Sequence, residues 1–285
     1  MEKFIFTNAL GKSIIIGGHH DDYLLTSHTG TTSAEILTTS RKGYAQDGQS
    51  FVKNNLGIRI ITLEFTTRRF TDLKFYEKKR ELSSIFNPLI GQATLVYIND
   101  YIQKQLTVSV TGMPELTEKS KILGKYTVEL TAFYPFWEDI SETSIALYSF
   151  TGGLTYPITF SGDNITFAKK GMYTTLTTSS DVATPITAIF EGACSRPVFT
   201  NATTNECITI DTDIAQGEKI IVTTGYGEKN VVRVLTNGMK QNVNNFITDD
   251  SIFFQLLPGE NKLRFDASTG VPEITLKYKN LYTGV

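Results

Sequence analysis

A mainly β protein of two domains is what the sequence predicts, and three observations carry that prediction. Short runs rich in Thr, Ile, Val and Phe alternate apolar with polar residues through most of the chain, the period of half-buried strands. Helical spacing is confined to one stretch, residues 73–86. The segment KYTVELTAFYPFWED, residues 125–139, starts as an alternating strand and then gathers Phe133, Tyr134, Phe136 and Trp137 around Pro135. It sits close to the midpoint of the 285 residues and separates one domain over residues 1–139 from a second over 140–285. Each half is within the roughly 100–200 residues of an ordinary domain.

Residues 4–16 read as two strands turning at Asn8 to Gly11, where glycine accepts a positive φ. Residues 23–25 form a third strand, 27–33 a loop around Gly30, and 35–39 a brief fourth strand. The polar run RKGYAQDGQSFVKNN, residues 41–55, then departs before a strong strand at 58–65. An excursion of that length is uncommon inside a compact domain unless it works at its own surface or on a neighbour, so it reads as an arm. Asp72 is placed to cap a helix over 73–86, with Leu82, Ile85 and Phe86 on its apolar face and Asn87-Pro88 as its stop. Strands at 94–98 and 104–111 join across Asn99-Asp100, and a strand at 126–131 closes the half.

Beyond the aromatic segment, short strands are expected at 145–150, 156–160, 186–190, 207–210, 219–223, 231–235, 252–256, 262–265 and 273–278. Strands at about 8–12 residue spacing with turns between them point to an antiparallel sandwich. The clearest turn is Leu257-Pro258-Gly259-Glu260, in which Pro presets φ and Gly takes the positive φ of a type II turn.

Composition narrows the function classes. The net charge is −2, with 16 basic and 15 acidic residues up to Asp139 and 11 and 14 beyond it, so neither half is built to grip nucleic acid or an acidic membrane. No apolar run approaches the roughly 20 residues that cross a bilayer, and the opening MEKFIFTNALGKS lacks the apolar core of a secretory signal. Two cysteines, Cys194 and Cys207, are too few for a disulfide framework; buried thiols or a single bridge both remain open.

Each chemical motif has a plainer reading. His19, His20, Asp21, Asp22 and His28 hold metal-ligand residue types, yet adjacent residues of an extended chain face opposite ways and the spacing matches no known site, so a solvated loop is expected. Gly225-Tyr226-Gly227 looks like half a phosphate loop but lacks a third glycine and a following helix, which favours a hairpin turn. The basic run Arg68, Arg69, Lys74, Lys78, Lys79 and Arg80 is interleaved with Glu77 and Glu81, the mark of a solvated helix face or of an interface with complementary charge. Tyr156, Tyr173 and Tyr226 are the candidate platforms for a glycan. No nucleophile or metal motif is present, and no enzymatic activity, catalytic residue, cofactor or metal is expected.

The order of landmarks resembles the siphophage distal tail protein family, often called Dit. The landmarks are the opening turn with Asn8 and Gly11, QDG at Gln46 to Gly48, YEKKRELSSIFNP at 76–88, YPFWED at 134–139, LLPGENKLRF at 256–265 and ITLKYKNLYTGV at 274–285. The resemblance spans essentially the whole length. It implies a virion structural protein of the tail tip, assembled in the host cytoplasm: a first domain of sandwich or split-barrel type, with one helix and an arm, forming a hexameric ring, and a galectin-like β-sandwich carried outward. It further implies as partners other copies of itself, the major tail tube protein, the tail-associated hub protein and a receptor-binding protein, with DNA passing through the ring unbound and no membrane partner. Near neutrality suits such a lumen. Tyr44, Gln46, Asp47, Phe51, Asn99 and Asp100 fall where the family reaches across to neighbours, and Tyr134, Pro135, Phe136 and Trp137 where the outer domain projects, which leads us to expect Trp137 buried between domains. A glycan-binding adsorption module is the alternative reading.

Overall fold

Alternate residues along seven strands of the first half share one interior, and the strands close around it as a barrel. The computed structural model describes residues 2–18, 22–68, 72–119, 123–148, 174–270 and 273–285. The expected strand at 156–160 lies outside the described residues, as do His19, His20, Asp21, Arg69, Tyr156 and Tyr173. The chain divides into two units, the first comprising Met1–Ile140 with Tyr282–Val285 and the second Ser141–Leu281.

In chain order the first unit contains β1 (Lys3–Thr7), β2 (Ser13–Gly17), β3 (Tyr23–Thr29), β4 (Ile36–Arg41), β5 (Ser50–Leu56), β6 (Arg59–Arg68), the helix α1 (Asp72–Ile85), β7 (Ala93–Ile98), β8 (Gln103–Lys119), β9 (Leu123–Ala132) and β10 (Trp137–Asp139). The barrel runs β1, β2, β3, β6, β9, β8, β7 and back to β1. All contacts around it are antiparallel except that of β2 with β3. Following paired residues once around gives Lys104, Tyr97, Phe4, Ile16, Tyr23, Thr67, Gly124 and finally Lys119, fifteen residues farther along β8 than the start. That stagger is the tilt a closed barrel requires, and it explains why β8 is far longer than the expected 104–111: one strand must serve both β7 and β9 at different levels.

Burial follows the pleat. Phe4, Phe6, Ile61, Leu63, Phe65, Leu95, Leu106, Tyr126, Val128 and Leu130 point inward and are buried. β3 passes through Ser27, where a loop was expected, after a bulge between Leu25 and Ser27. The polar residues stay satisfied there: Ser27 Oγ donates to Glu64 Oε2 at 2.8 Å, and His28 Nε2 meets Glu2 Oε2 at 3.0 Å. At Gly30 φ is +86°, and a Cβ would run into the backbone of Ile60, so only glycine turns here.

The helix covers the barrel core with Phe75, Leu82 and Ile85, and Phe86, just past its end, stacks on Phe6 with centroids 4.3 Å apart. Asn87 caps the following short turn, accepting from Leu89 N at 3.0 Å, with Pro88 in first place. Asn8 Nδ2 donates to Ile85 O at 3.1 Å and satisfies a carbonyl that the helix leaves open.

The second unit is a β-sandwich. One sheet orders Thr143–Tyr148, Glu273–Tyr278, Ile186–Glu191, Lys219–Thr223, Asn230–Val234 and Lys240–Asn242; the other orders Thr174–Thr178, Gly259–Asp266, Val198–Asn201 and Glu206–Thr209. Phe190 of the first and Phe265 of the second meet edge to face at 5.5 Å in the shared core. Gly259 has φ +83°, as the expected turn demands. The fully buried Asn261 holds that turn from within, accepting from Leu257 N at 2.9 Å and donating to Leu257 O at 2.8 Å. Cys194 and Cys207 are free thiols, and burial pushes the Cys194 thiol up to about 11.

Two expectations need correction. Residues 252–256 form no strand; they cross irregularly, with Ile252 N bonding Cys207 O and a lone bridge from Leu256 to Thr184. Their apolar run reflects burial of Phe254 and Leu256 in the core rather than membership of a sheet. The sequence places Tyr282–Val285 in the second domain, whereas they belong to the first unit, because the short strand Leu281–Tyr282 pairs with β10 and Arg59 binds Thr283 O.

Candidate assembly surface

The arm is the exposed feature of the first unit that its own packing does not explain. Among the described residues, strands β4 and β5 pair only with each other, antiparallel, with a bulge between Thr39 and Ser40. Every residue of β4 is exposed, as is every residue of β5 except Leu56. The tip is ordered by its own polar groups: Gln46 Oε1 accepts from Gly43 N at 2.8 Å, Gln46 Nε2 donates to Ser50 Oγ at 3.2 Å, and Ser40 Oγ bonds Gln49 Oε1. Ala45 and Gly48 take the positive φ values of the reversal, +56° and +76°.

Large apolar side chains stand out along this hairpin. Tyr44 is 105% exposed and Phe51 65%, and Ile36, Leu37 and Val52 are exposed with them. Neighbours along a strand face opposite ways, so Ile36 and Leu37 place apolar surface on both faces. An isolated two-stranded hairpin is marginal in water, and contiguous exposed apolar surface marks a contact site. Of the residues singled out in the sequence, Tyr44 and Phe51 supply apolar surface, Gln46 shapes the turn, and Asp47 is exposed beside it.

A second projection is the turn between β7 and β8. Asn99 Oδ1 accepts from Tyr101 N at 2.9 Å and Ile102 N at 2.7 Å, so Asn99 is the former of the turn while Asp100 lies exposed at its apex. The side chain it presents is Tyr101, 93% exposed. Sequence reasoning chose the turn formers and missed the aromatic beside them; an aromatic directly following an Asn-Asp turn was the available signal.

The arm springs from a tightly bonded base that the sequence did not reveal. Arg59 is fully buried, and among the described residues its guanidinium donates to four carbonyls and to no carboxylate: Pro135 O at 2.8 Å, Gly30 O at 2.7 Å, Thr31 O at 2.9 Å and Thr283 O at 2.5 Å. Burial lowers its pKa from the ordinary arginine value. Trp137 is fully buried as expected, but within the core of the first unit: its indole lies 6.2 Å from Tyr97 and Nε1 donates to Thr31 O at 3.0 Å. Pro135 and Trp137 are thus fixed to the barrel, Tyr134 and Phe136 meet edge to face at 5.1 Å, and the division between units falls later, after Ile140. Of the four residues expected to act as a joint, Pro135 and Trp137 are therefore bonded within the first unit, to Arg59 and to Thr31.

Of the metal-type residues, the two that are described, Asp22 and His28, are used elsewhere. Asp22 pairs with Lys78 at 3.0 Å, and His28 packs on Phe4 while bonding Glu2. Among the described residues no group of three or more His, Cys, Asp or Glu gathers for a metal. Lys78, from the basic run, also lies 4.9 Å over the Tyr23 ring. Gly225 to Gly227 turn between paired Thr223 and Asn230, with Tyr226 exposed.

Two family models match the sequence. Residues 21–132 match the phage tail protein RIFT-related domain, and residues 177–282 match the siphovirus-type tail component, C-terminal domain. Among solved structures the chain is similar to the crystal structure of SPP1 Dit (gp 19.1), described as a paradigm of the hub adsorption apparatus in phages infecting Gram-positive hosts. Identity is 13% over 97% of this chain and 98% of that one, with a TM-score of 0.70. It is also similar to a chain of the phage p2 baseplate in its activated conformation with Sr, at 10% identity over 100% of both chains and a TM-score of 0.54. No curated protein matches. At these identities the structural likeness is one of fold.

Proposed function

The chain belongs to the siphophage distal tail protein family, structural components of phage tails, and from that premise we propose that it forms a hexameric ring at the tail tip. In this reading the barrel unit builds the ring between the major tail tube protein and the tail-associated hub, and the sandwich unit supports host adsorption, directly or through a receptor-binding protein. DNA passes through the lumen without specific binding, in keeping with a net charge of −2. The role is mechanical and asks no chemistry of any side chain.

The observation that carries the reading is the β4–β5 arm, a hairpin with apolar residues on both faces and, among the described residues, no partner strand beyond its own pair. A neighbouring copy in a ring covers such an element and turns exposed apolar area into contact at about 25 cal/mol per Å². Light scattering with negative-stain imaging of the purified chain tests it: rings are expected, and Phe51→Ser should abolish them without unfolding the protein. A strict monomer at every concentration, with no ring on adding tube or hub protein, would sink the proposal.

A further inference from the structure

Both roots of the arm are gripped by residues far away in sequence. The chain leaves the barrel for the arm through Thr31 and Thr32 and returns through Gly57 and Ile58 to Arg59. At the outgoing root, Thr31 O accepts from Arg59 Nη1, Trp137 Nε1 and Val285 N, the last at 3.3 Å. Gly284 lies so close to Thr32 that a Cβ would stand 2.5 Å from its carbonyl oxygen. At the returning root, Arg59 Nη2 holds Thr283 O. The roots bond each other, Glu35 N to Ile58 O at 3.1 Å and Gly57 N to Glu35 O at 2.8 Å. Tyr282 is anchored separately: Lys104 Nζ sits 3.7 Å over its ring, and Lys104 and Tyr282 Oη both bond Asp139 Oδ1, at 2.6 and 3.3 Å.

From this geometry we infer that the segment Tyr282–Val285 is a brace that aims the arm, so that residues outside the arm itself control self-association. The arm has no packing of its own along β4 and β5, so its direction is decided at the root. A six-residue strand is about 20 Å long, and a tilt of about 15° at the base shifts the tip by about 5 Å, one strand spacing. A shift of one spacing is enough to lose register with a neighbour. Tyr282, Thr283, Gly284 and Val285 are positioning residues in this scheme, acting through Thr31, Thr32 and Arg59. The consequence for self-association rests on the ring reading above; the bracing of the root does not.

Hydrogen exchange on the full chain separates the two. In Gly284→Val the amides of Glu35 and Gly57 should exchange on the order of tenfold faster or more, because their bonds open locally, while β1 and β7 amides keep their protection. Ring formation should weaken by a similar factor. Tyr282→Ala, which removes the anchor without inserting bulk, serves if the valine variant does not fold. Unchanged exchange at Glu35 and Gly57 overturns the brace, and so does uniform acceleration across the barrel, which would mark general destabilisation. Phe51→Ser should instead abolish rings with root protection intact. If the unaltered chain never associates, the ring reading fails while the exchange result still decides the brace.

Discussion

Two antiparallel pairs in the same unit, β1 with β7 and β4 with β5, have similar residues and opposite fates. KFIFT of β1 and ATLVYI of β7 bury every second side chain. ILTTSR of β4 buries none. Both are rich in β-branched and apolar residues and both pair antiparallel, β4 and β5 with a bulge between Thr39 and Ser40. What separates them is a third surface: β1 and β7 face a core that Phe6, Phe86 and Leu95 fill, and β4 and β5 face water. Strand propensity is therefore a statement about fitting a half-buried surface, and the arm has the propensity without the surface. Its missing half belongs to another molecule in the ring reading.

The largest expected effect lies where the barrel meets the arm. Arg59→Met should destabilise the first unit by on the order of 3 kcal/mol or more, since several carbonyls are left buried at about 1–3 kcal/mol each. Denaturant unfolding measures it, and a loss below about 1 kcal/mol would mean that water reaches those carbonyls. A smaller effect of opposite sign is expected inside the barrel. Tyr126 is buried with no hydrogen-bond partner for its hydroxyl among the described residues, and burial raises its pKa. Tyr126→Phe should be neutral or stabilise by up to about 1 kcal/mol, because a polar group with no bond to lose leaves the core. A clear destabilisation in thermal unfolding would show that the hydroxyl has a bond after all. The smallest effect on stability belongs to the arm: Phe51→Ser should leave the unfolding of the dissociated chain within about 0.5 kcal/mol, although in the ring reading the same change should remove the ring. A drop of several kcal/mol without association would place Phe51 in the monomer's own core and dissolve the contrast with β1.

Sequence alone resolved many of the features that depend on local pattern. Alternation gave most strands but not Ser50–Leu56, Thr174–Thr178 or Val198–Asn201, Asn87-Pro88 gave the end of the helix, Pro258-Gly259 the turn, and the length of residues 41–55 an arm, although its outgoing strand Ile36–Arg41 reads as part of the domain. It did not distinguish an apolar run in a sheet from one crossing a core, and so misread residues 252–256. Arg59 was invisible for a different reason. Its partners are carbonyls 28, 29, 76 and 224 residues away, and a carbonyl belongs to every residue, so no side-chain type marks the site. Trp137 shows the same limit: its burial was legible, but the group its indole bonds is again a backbone oxygen, of Thr31.

The pairing of β10 with Leu281–Tyr282 has one more consequence. The second unit leaves the first at Ile140 and rejoins it at Tyr282, and the strands at exit and return are hydrogen-bonded neighbours, a separation of about 5 Å. The sandwich is therefore a cassette, plugged into a socket one strand spacing wide. Any domain whose own two ends lie that close meets the spacing that these two strands set. In the ring reading, the two units can then diverge separately, by recombination at two points that the fold keeps side by side.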